Sequence, residues 1–192
     1  MVSKYTMPFS VENGDKVIKI RNDCDFRVVL DCIEVSKDME LQSEERTAVT
    51  LNIFYENIED ITNFDEAVND MIAIIENSDN SKKQHHSEDK KNEPEIVDFN
   101  IDFDLYISGV NKILGYDCRN PNKFTHWWTF LSAYKEIGDG YFAQVVGIRK
   151  KRYIDHKPLD KTELEFYNNN RDDINAIYRI SDEDEAYLNE DL

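Results

Sequence analysis

Apolar side chains recur every three or four residues along much of this chain, a spacing that places them on one face of an α-helix. Three such stripes precede residue 77, and each predicts an amphipathic helix. The stripes consist of Phe26, Val29, Leu30 and Ile33, of Ala48, Leu51 and Tyr55, and of Phe64, Val68, Met71, Ile72 and Ile75. Residues able to cap a helix precede each stripe, namely Asn22-Asp23 or Asp25, Ser43, and Asn63.

The same spacing predicts two helices that bracket the second half of the chain. The first ends before Gly115, since glycine tolerates the left-handed conformation that closes many helices. The second begins at Pro158. Tyr141 to Arg149 is a short apolar segment that ends in basic residues, and it is not counted among the predicted helices. The two stripes are Phe103, Ile107, Val110 and Leu114, and Leu164, Tyr167, Ile174, Ile177 and Tyr178.

Both tryptophans lie side by side in a segment that holds four large aromatic rings in seven residues, Phe124 to Phe130. Asn120-Pro121 predicts the start of a helix here, because Asn caps and Pro suits the first helical position. Gly138 to Gly140 predicts its end. So much aromatic surface forms either the centre of a core or an exposed binding face. We expect Trp127, Trp128 and Phe130 to build the core of the second half.

A β-hairpin is predicted before the first helix, because Asn13-Gly14 is a strong two-residue turn signal. Asn77 to Glu95 contains no large apolar residue and predicts a flexible linker. The predicted fold is mainly α, with about six helices, a short N-terminal β-hairpin and a disordered, polar and acidic linker. Its predicted parts are the hairpin and N-terminal helices (1–76), the linker (77–95), the C-terminal helical part with the Trp helix (96–181) and an acidic tail (182–192).

The length, net charge and composition of the chain disfavour several classes of protein. It has 192 residues and a net charge of -17, which disfavours binding to nucleic acid and to anionic membranes. No apolar run approaches the roughly 18 residues that would predict a membrane-spanning helix. Met1 to Phe9 lacks the apolar stretch of a signal peptide, and three cysteines without short pairs argue against a disulfide framework. We expect a cytoplasmic protein with neither a nucleic-acid nor a membrane partner.

Catalytic signatures are scarce in this sequence. It has no phosphate-binding glycine motif and no nucleophile elbow. Cys118 and His126 could be imagined as a catalytic thiol–imidazole pair, but nothing in their spacing supports such a pair. We expect His126 to be a polar residue at the edge of the Trp helix. The expectation is a protein that is not an enzyme and uses no cofactor.

Two charged segments resemble ligand-binding sites, but other features of the sequence argue against binding at either one. The alternating acids from Asp98 to Asp104 resemble a calcium loop, but Phe103 stands where that loop needs glycine. The basic cluster Arg149 to Arg152 suits phosphate contacts. The favoured interpretation is that these cations lie at the negative end of a helix or pair with the many nearby acids. No calcium, zinc or other metal site is therefore predicted.

Two blocks of residues carry a family resemblance. Asp25-Phe26-Arg27, with the residues through Leu30, is similar to the "T-D-F-R-x-x-L" start of the phage "gene product fifteen" family. His126 to Phe130, which reads His-Trp-Trp-Thr-Phe, resembles its "H-W-W-K-F" pattern. The resemblance covers about residues 10 to 180. Leu114 to Cys118 departs from the family pattern, and Thr129 stands where Lys or Arg is common.

The resemblance implies a role in building siphophage-like tails. Members of this family are regarded as tail assembly chaperones or close relatives of them. Such a chaperone binds helices of the tape measure protein, keeps that protein soluble and is shed when the tail tube polymerises. A second copy of the chain and a sister tail assembly protein are further implied partners. The implied location is the cytoplasm of the bacterial host, with the protein absent from the mature virion.

Partner contacts are expected on two helices, and a second function stays open. The expected partner-binding residues are Phe64, Met71 and Ile75 of the third helix and Trp127 and Trp128 of the Trp helix. The alternative function is an acidic inhibitor of phage origin that mimics DNA. That alternative assigns activity to the acidic tail Asp182 to Leu192.

Overall fold

The fold of the chain is mainly α with a two-stranded N-terminal hairpin, which confirms the predicted class. The computed structural model describes residues 6–77 and 95–178. Most of the predicted linker (78–94) and the whole predicted tail (182–192) lie outside the described residues. The helices in the described part are α1 Phe26–Lys37, α2 Ser43–Phe54, α3 Phe64–Ile75, α4 Phe103–Leu114, α5 Trp127–Lys135, α6 Tyr141–Arg149, α7 Lys161–Asn169 and α8 Arg171–Asn175.

Eight helices instead of about six occur in the described residues, for two reasons. The apolar segment Tyr141–Arg149 forms α6, and a π-helical turn at Lys150–Ile154 continues it. The predicted last helix is divided between α7 and α8 at Asn170, whose φ of -131° is not helical. The side-chain amide of Asn170 donates to the Phe166 carbonyl at 2.8 Å. Asparagine competes in this way with the helical hydrogen bonds and ends α7.

Residue contacts divide the chain into two compact units. Unit 1 comprises Met1–Ser87 and Leu114–Lys135, and unit 2 comprises Glu88–Ile113 and Glu136–Leu192. This division does not coincide with the predicted one at residues 77–95, because the Trp helix α5 groups with the N-terminal helices. Phe26 of α1 stacks on Phe130 of α5 with ring centroids 4.4 Å apart. The Trp helix therefore contributes to the core of unit 1.

The hairpin of unit 1 positions the start of α3. Its strands are β1 Ser10–Asn13 and β2 Lys16–Lys19, so the turn is Gly14-Asp15, one residue later than predicted. Asn13 is buried, and its side-chain oxygen accepts from the backbone N–H groups of Thr62 (2.7 Å) and Asn63 (2.9 Å). A Cβ on Gly14 would lie 2.7 Å from the Thr62 hydroxyl oxygen. Hairpin and α3 thus meet closely through this turn.

The core of unit 1 forms where α1 packs against α2 and α5, and where α2 packs against α3. Its largest fully buried side chains are aromatic, which gives much apolar burial for few residues. They include Phe26, Phe54, Tyr55, Trp127 and Phe130. The Tyr55 hydroxyl donates to the Ala67 carbonyl of α3 at 2.9 Å, so this buried polar group is satisfied.

The core of unit 2 is a separate cluster on α6, α7, α8 and the π-helical turn. Its buried members are Val145, Ile148, Tyr153, Tyr167 and Ile174. Tyr106 of α4 packs its ring edge against Phe142 of α6, with centroids 5.6 Å apart.

Candidate partner-binding surface

The start of α1 and the loop before α5 are held together by a charged pair. Asp25 caps α1 by accepting from the Arg27 backbone N–H at 3.0 Å, and the Arg27 guanidinium binds the same carboxylate. Arg27 also donates to the backbone carbonyls of Cys118, Asn120 (3.1 Å) and Lys123 (3.3 Å). One cation thereby satisfies carbonyl groups from a whole loop. These loop contacts of Arg27 were not predicted from the sequence.

This junction explains why the Trp helix begins later than the sequence predicted. The Asn120 side chain accepts from the Asn122 backbone N–H at 3.0 Å, which forms a local turn instead of a helix start. Thr125 is tied to the start of α1 from both sides: its N–H donates to Asp25, and its carbonyl accepts from Phe26 at 3.0 Å. The helix therefore begins only at Trp127.

His126 caps α5 and is buried, whereas the sequence predicted a polar edge residue. Its Nδ1 accepts from the Trp128 backbone N–H at 3.1 Å, and its Nε2 lies 3.1 Å from the Pro8 carbonyl. Only the neutral ring can accept at one nitrogen and donate at the other. Burial lowers the pKa of His126 below its ordinary value of 6.5, although the Pro8 carbonyl opposes the shift.

The two tryptophans of α5 close the C-terminal end of α3. The indole N–H of Trp127 donates to the Ile75 carbonyl at 2.8 Å, and that of Trp128 donates to the Ile74 carbonyl at 2.9 Å. The last carbonyls of a helix lack the usual i+4 partners within it, and both indoles bind at this end of α3. The Ile74 carbonyl also accepts from the Asn77 N–H at 3.2 Å. Trp127 is 1% exposed, whereas Trp128 is half-buried. The Trp128 ring therefore borders the last turn of α3 at the protein surface.

An apolar stripe of α3 remains accessible beside its buried face. Phe64 is 49% exposed and Ile72 is 38% exposed, while Val68 and Ile75 are half-buried. These four positions follow helical spacing, and Trp128 lies at the C-terminal end of their row. We call Phe64, Val68, Ile72, Ile75 and Trp128 the α3 surface. It is a continuous helical face on which apolar side chains meet solvent, a feature typical of interaction sites.

The five predicted partner-binding residues all lie on α3 and α5 of unit 1, but they differ in access. Phe64, Ile75 and Trp128 are accessible. Met71 (6% exposed) and Trp127 (1% exposed) lie in the core. Met71 is buried because the apolar stripe on α3 is wide enough to face both the core and the surface. Val68 and Ile72 belong to the accessible stripe and were not singled out. Partner binding itself stays a prediction.

The cysteines of the chain are placed where thiols are unreactive. Cys24, Cys32 and Cys118 are all buried. Burial raises the pKa of Cys24 and of Cys32 to about 12, and it raises the pKa of Cys118 above its ordinary value. Since the thiolate is the nucleophile, a raised pKa leaves these side chains protonated near neutral pH. This chemistry favours a structural role for all three thiols.

The charged segments that suggested metal or phosphate binding are engaged within unit 2. Asp102 and Arg149 form a fully buried ion pair, with Nη1 2.7 Å from the carboxylate. Arg152 is 6% exposed and stacks on the Tyr167 ring, its guanidinium carbon 4.2 Å from the centroid. Lys151 pairs with Glu163. Two of the four cations in the basic cluster are therefore inside unit 2 instead of on a phosphate-binding surface.

Acidification is expected to destabilise unit 1 through His126. The pKa of this residue is lowered in the folded state, so the unfolded chain binds more protons between the two pKa values. Unfolding free energy then falls as pH drops below about 6.5, by at most about 1.4 kcal/mol per pH unit for one proton. Chemical denaturation at pH 7 and at about pH 5.5 measures the change, and His126→Asn should reduce it while keeping a capping oxygen.

The control for this experiment is the same substitution at His156, which is exposed. His156 has a left-handed φ of 49°, which asparagine tolerates. His156→Asn is expected to retain the full pH dependence of the unsubstituted chain. An equal pH dependence in the His126→Asn variant would contradict the assignment.

The chain matches a known protein family. A family model described as "Bacteriophage Gp15 protein" matches residues 5–176, a range that includes the hairpin and all of α1 to α8. No curated protein and no solved structure matches the chain. Within residues 6–77 and 95–178, none of the helices combines the length and apolar character needed to cross a bilayer.

Proposed function

From the chain's membership of the bacteriophage Gp15 protein family, we propose that it is a tail assembly chaperone that binds and solubilises the tape measure protein. The two sequence blocks that resemble the family meet in the fold. The Asp25-Phe26-Arg27 block holds the loop that leads into the His126 to Phe130 block. That second block in turn carries Trp128 to the end of α3. Both blocks thus support the geometry of the α3 surface.

The observation that carries the proposal is the accessible apolar face of α3. A long tape measure helix has apolar stripes that would self-associate if they were left bare. A helix docks such a stripe into an apolar groove or against another helix by residues spaced at i, i+4 and i+8. Phe64, Val68 and Ile72 have that spacing. Trp128 adds the residue type that most often dominates binding energy.

The charge of the chain suits a chaperone that coats its client. With a net charge of -17, neighbouring copies on one tape measure chain repel each other and keep the assembly soluble. The accessible face is small, so the affinity of each copy is modest. Several weak sites along one client still hold many copies through multivalency. Modest affinity also lets the tail tube protein displace the chaperone during polymerisation.

The proposal includes where and with what the protein acts. Its site of action is the cytoplasm of the bacterial host, before the virion is complete. Its partners are the tape measure protein, together with a second copy of the chain or a sister tail assembly protein. It works by binding, without a catalytic step or a cofactor.

Co-expression with the tape measure protein of the same phage or prophage tests the proposal. We expect the tape measure protein to become soluble and to elute with several copies of this chain, as measured by sizing with light scattering. Phe64→Ser combined with Ile72→Ser should reduce the bound copies severalfold, since both side chains lose their apolar contacts.

Val17→Ser is the matched control for that double variant. Val17 is also an exposed apolar residue of unit 1, at 67%, but it lies on β2 and is not one of the five residues of the α3 surface. It should bind like the unsubstituted chain. A tape measure protein that stays insoluble beside a correctly folded chain would refute the proposal. Inhibition of host DNA-binding enzymes, lost on removal of Asp182 to Leu192, would then favour the DNA-mimic alternative.

A further inference from the structure

The segment around α3 carries negative charge only. Residues 56–76 contain seven carboxylates and no lysine, arginine or histidine. They are Glu56, Glu59, Asp60, Asp65, Glu66, Asp70 and Glu76. Lys16 of β2 binds Asp60 at 2.6 Å, so the charge of Asp60 is paired from outside the segment. The apolar α3 surface is therefore set in a strongly acidic stretch of unit 1.

Helical geometry places part of this charge along the stripe itself. A helix turns about 100° per residue, which puts Asp65 and Glu76 within about 40° of Ile72 around the axis. Both acids are exposed, and both lie on the side of the stripe that faces away from the core. The stripe thus has the protein core on one border and carboxylates on the other.

We propose that the α3 surface binds an amphipathic helix whose apolar stripe is bordered by lysine or arginine. This inference rests on the proposed function, since it names the chemistry of the tape measure segment that is bound. Apolar side chains of that helix cover Phe64, Val68 and Ile72, and its cations lie against Asp65 and Glu76. Opposite charges across the contact set the orientation of the helix and speed its association.

Charge also decides against a second copy of this chain as the occupant of the α3 surface. Two α3 surfaces in contact would bring the carboxylates of both segments together, and like charges in an interface are costly. A neutral apolar helix would gain only the apolar contacts. The basic amphipathic helix is the occupant that satisfies both parts of the surface.

The test uses the full chain and three synthetic helical peptides with the same apolar stripe. Their flanking positions are lysine in one, glutamine in the second and glutamate in the third. Titration followed by tryptophan fluorescence reports binding, since Trp128 lies at the end of the surface. We expect the lysine peptide to bind at least about tenfold tighter than the glutamate peptide, with glutamine between them. High salt should shrink the difference because exposed charges are screened.

Variants of the chain decide whether α3 is the surface responsible. Asp65→Asn combined with Glu76→Gln should remove most of the preference for lysine over glutamine while leaving binding of the glutamine peptide unchanged. Phe64→Ser with Ile72→Ser should weaken all three peptides. Equal binding of the three peptides, or a preference that the Asp65 and Glu76 changes do not alter, would overturn the inference.

The outcomes separate this inference from the proposed function. A complex with the tape measure protein that forms equally well in the Asp65→Asn/Glu76→Gln variant keeps the chaperone function and refutes the charge-based recognition. A lysine preference in the peptides without any tape measure complex supports the surface chemistry and refutes the chaperone function.

Discussion

Replacement of Arg149 with methionine is expected to destabilise unit 2 by about 3–5 kcal/mol, enough to unfold much of it. The guanidinium is buried and uses all five of its N–H groups. It binds both oxygens of Asp102 at 2.7 and 2.9 Å and donates to the carbonyls of Ile96 (3.1 Å), Asp173 and Ile174 (2.8 Å). Methionine fills similar space but leaves a buried carboxylate and three carbonyls without their donor.

Hydrogen exchange measured segment by segment is the suitable readout for the Arg149→Met variant. Amides of α4, α6 and α8 should lose protection, because four of the five bonds of Arg149 join α6 to Asp102, which directly precedes α4, and to α8. Arg149→Lys should recover little, since an ammonium cannot bind a carboxylate through two parallel N–H groups. Lys150→Met is the control, as Lys150 is the exposed neighbour of Arg149. Full protection in the Arg149→Met variant would contradict the central role of this cation.

A double substitution separates the ion pair from the carbonyl bonds. In the Arg149→Met/Asp102→Leu variant no buried charge remains unpaired, so the loss should be smaller than the sum of the single losses. The remaining deficit reports the three carbonyls and the Asp98 backbone N–H, which donates to Asp102 at 2.9 Å. A strictly additive result would mean that the pair contributes nothing as a pair.

The parts of the fold that depend on local signals could be predicted from the sequence. Asn63 caps α3 by accepting from the Glu66 N–H at 3.2 Å, and Asp25 caps α1 as one of two alternatives. Gly115 ends α4 with a φ of 76°. In each case the residue that caps or ends the helix lies within a few positions of the helix end. The local sequence is therefore enough to predict where that helix begins or ends.

The predictions that failed concern parts of the fold that depend on residues far apart in the chain. Asn120-Pro121 has every local feature of a helix start, yet Arg27, more than 90 residues away, binds the Asn120 carbonyl, and the helix begins only at Trp127. α6 was not predicted because its apolar residues form no stripe, and it takes its environment from Tyr106 and Ile174 of other helices. The burial of Arg149 inside a basic run follows from partners 24 to 53 residues away.

The candidate surface was partly predictable for the same reason. The stripe on α3 has helical spacing, so Phe64 and Ile75 could be named from it. Spacing alone does not say which edge of a broad stripe faces the core, and Met71 on one edge is buried while Ile72 on the other is exposed. The pairing of two neighbouring tryptophans with the end of α3 could not be predicted, because it depends on how α5 packs beside α3.

The tryptophan pair gives the sharpest separation of stability from binding. Trp127→Ala is expected to cost about 3–5 kcal/mol, since it removes a fully buried indole and leaves a cavity beside Phe130, whose ring centroid is 5.8 Å away. It also leaves the Ile75 carbonyl without its donor. Unit 1 should lose its cooperative unfolding transition in urea, or show a midpoint far below that of the unsubstituted chain.

Trp128→Ala is the matched variant one residue later, and its expected result is the reverse. The Trp128 ring is half-buried and its indole N–H donates to the Ile74 carbonyl, so removing it should cost only about 1 kcal/mol. The chain should stay folded but carry severalfold fewer copies onto the tape measure protein, because an aromatic anchor at the end of the α3 surface is lost. Each variant keeps a single tryptophan, so fluorescence follows unfolding in both. Equal destabilisation by the two changes would contradict the different roles assigned to the two side chains. Undiminished binding by the Trp128→Ala variant would place the binding surface away from the end of α3.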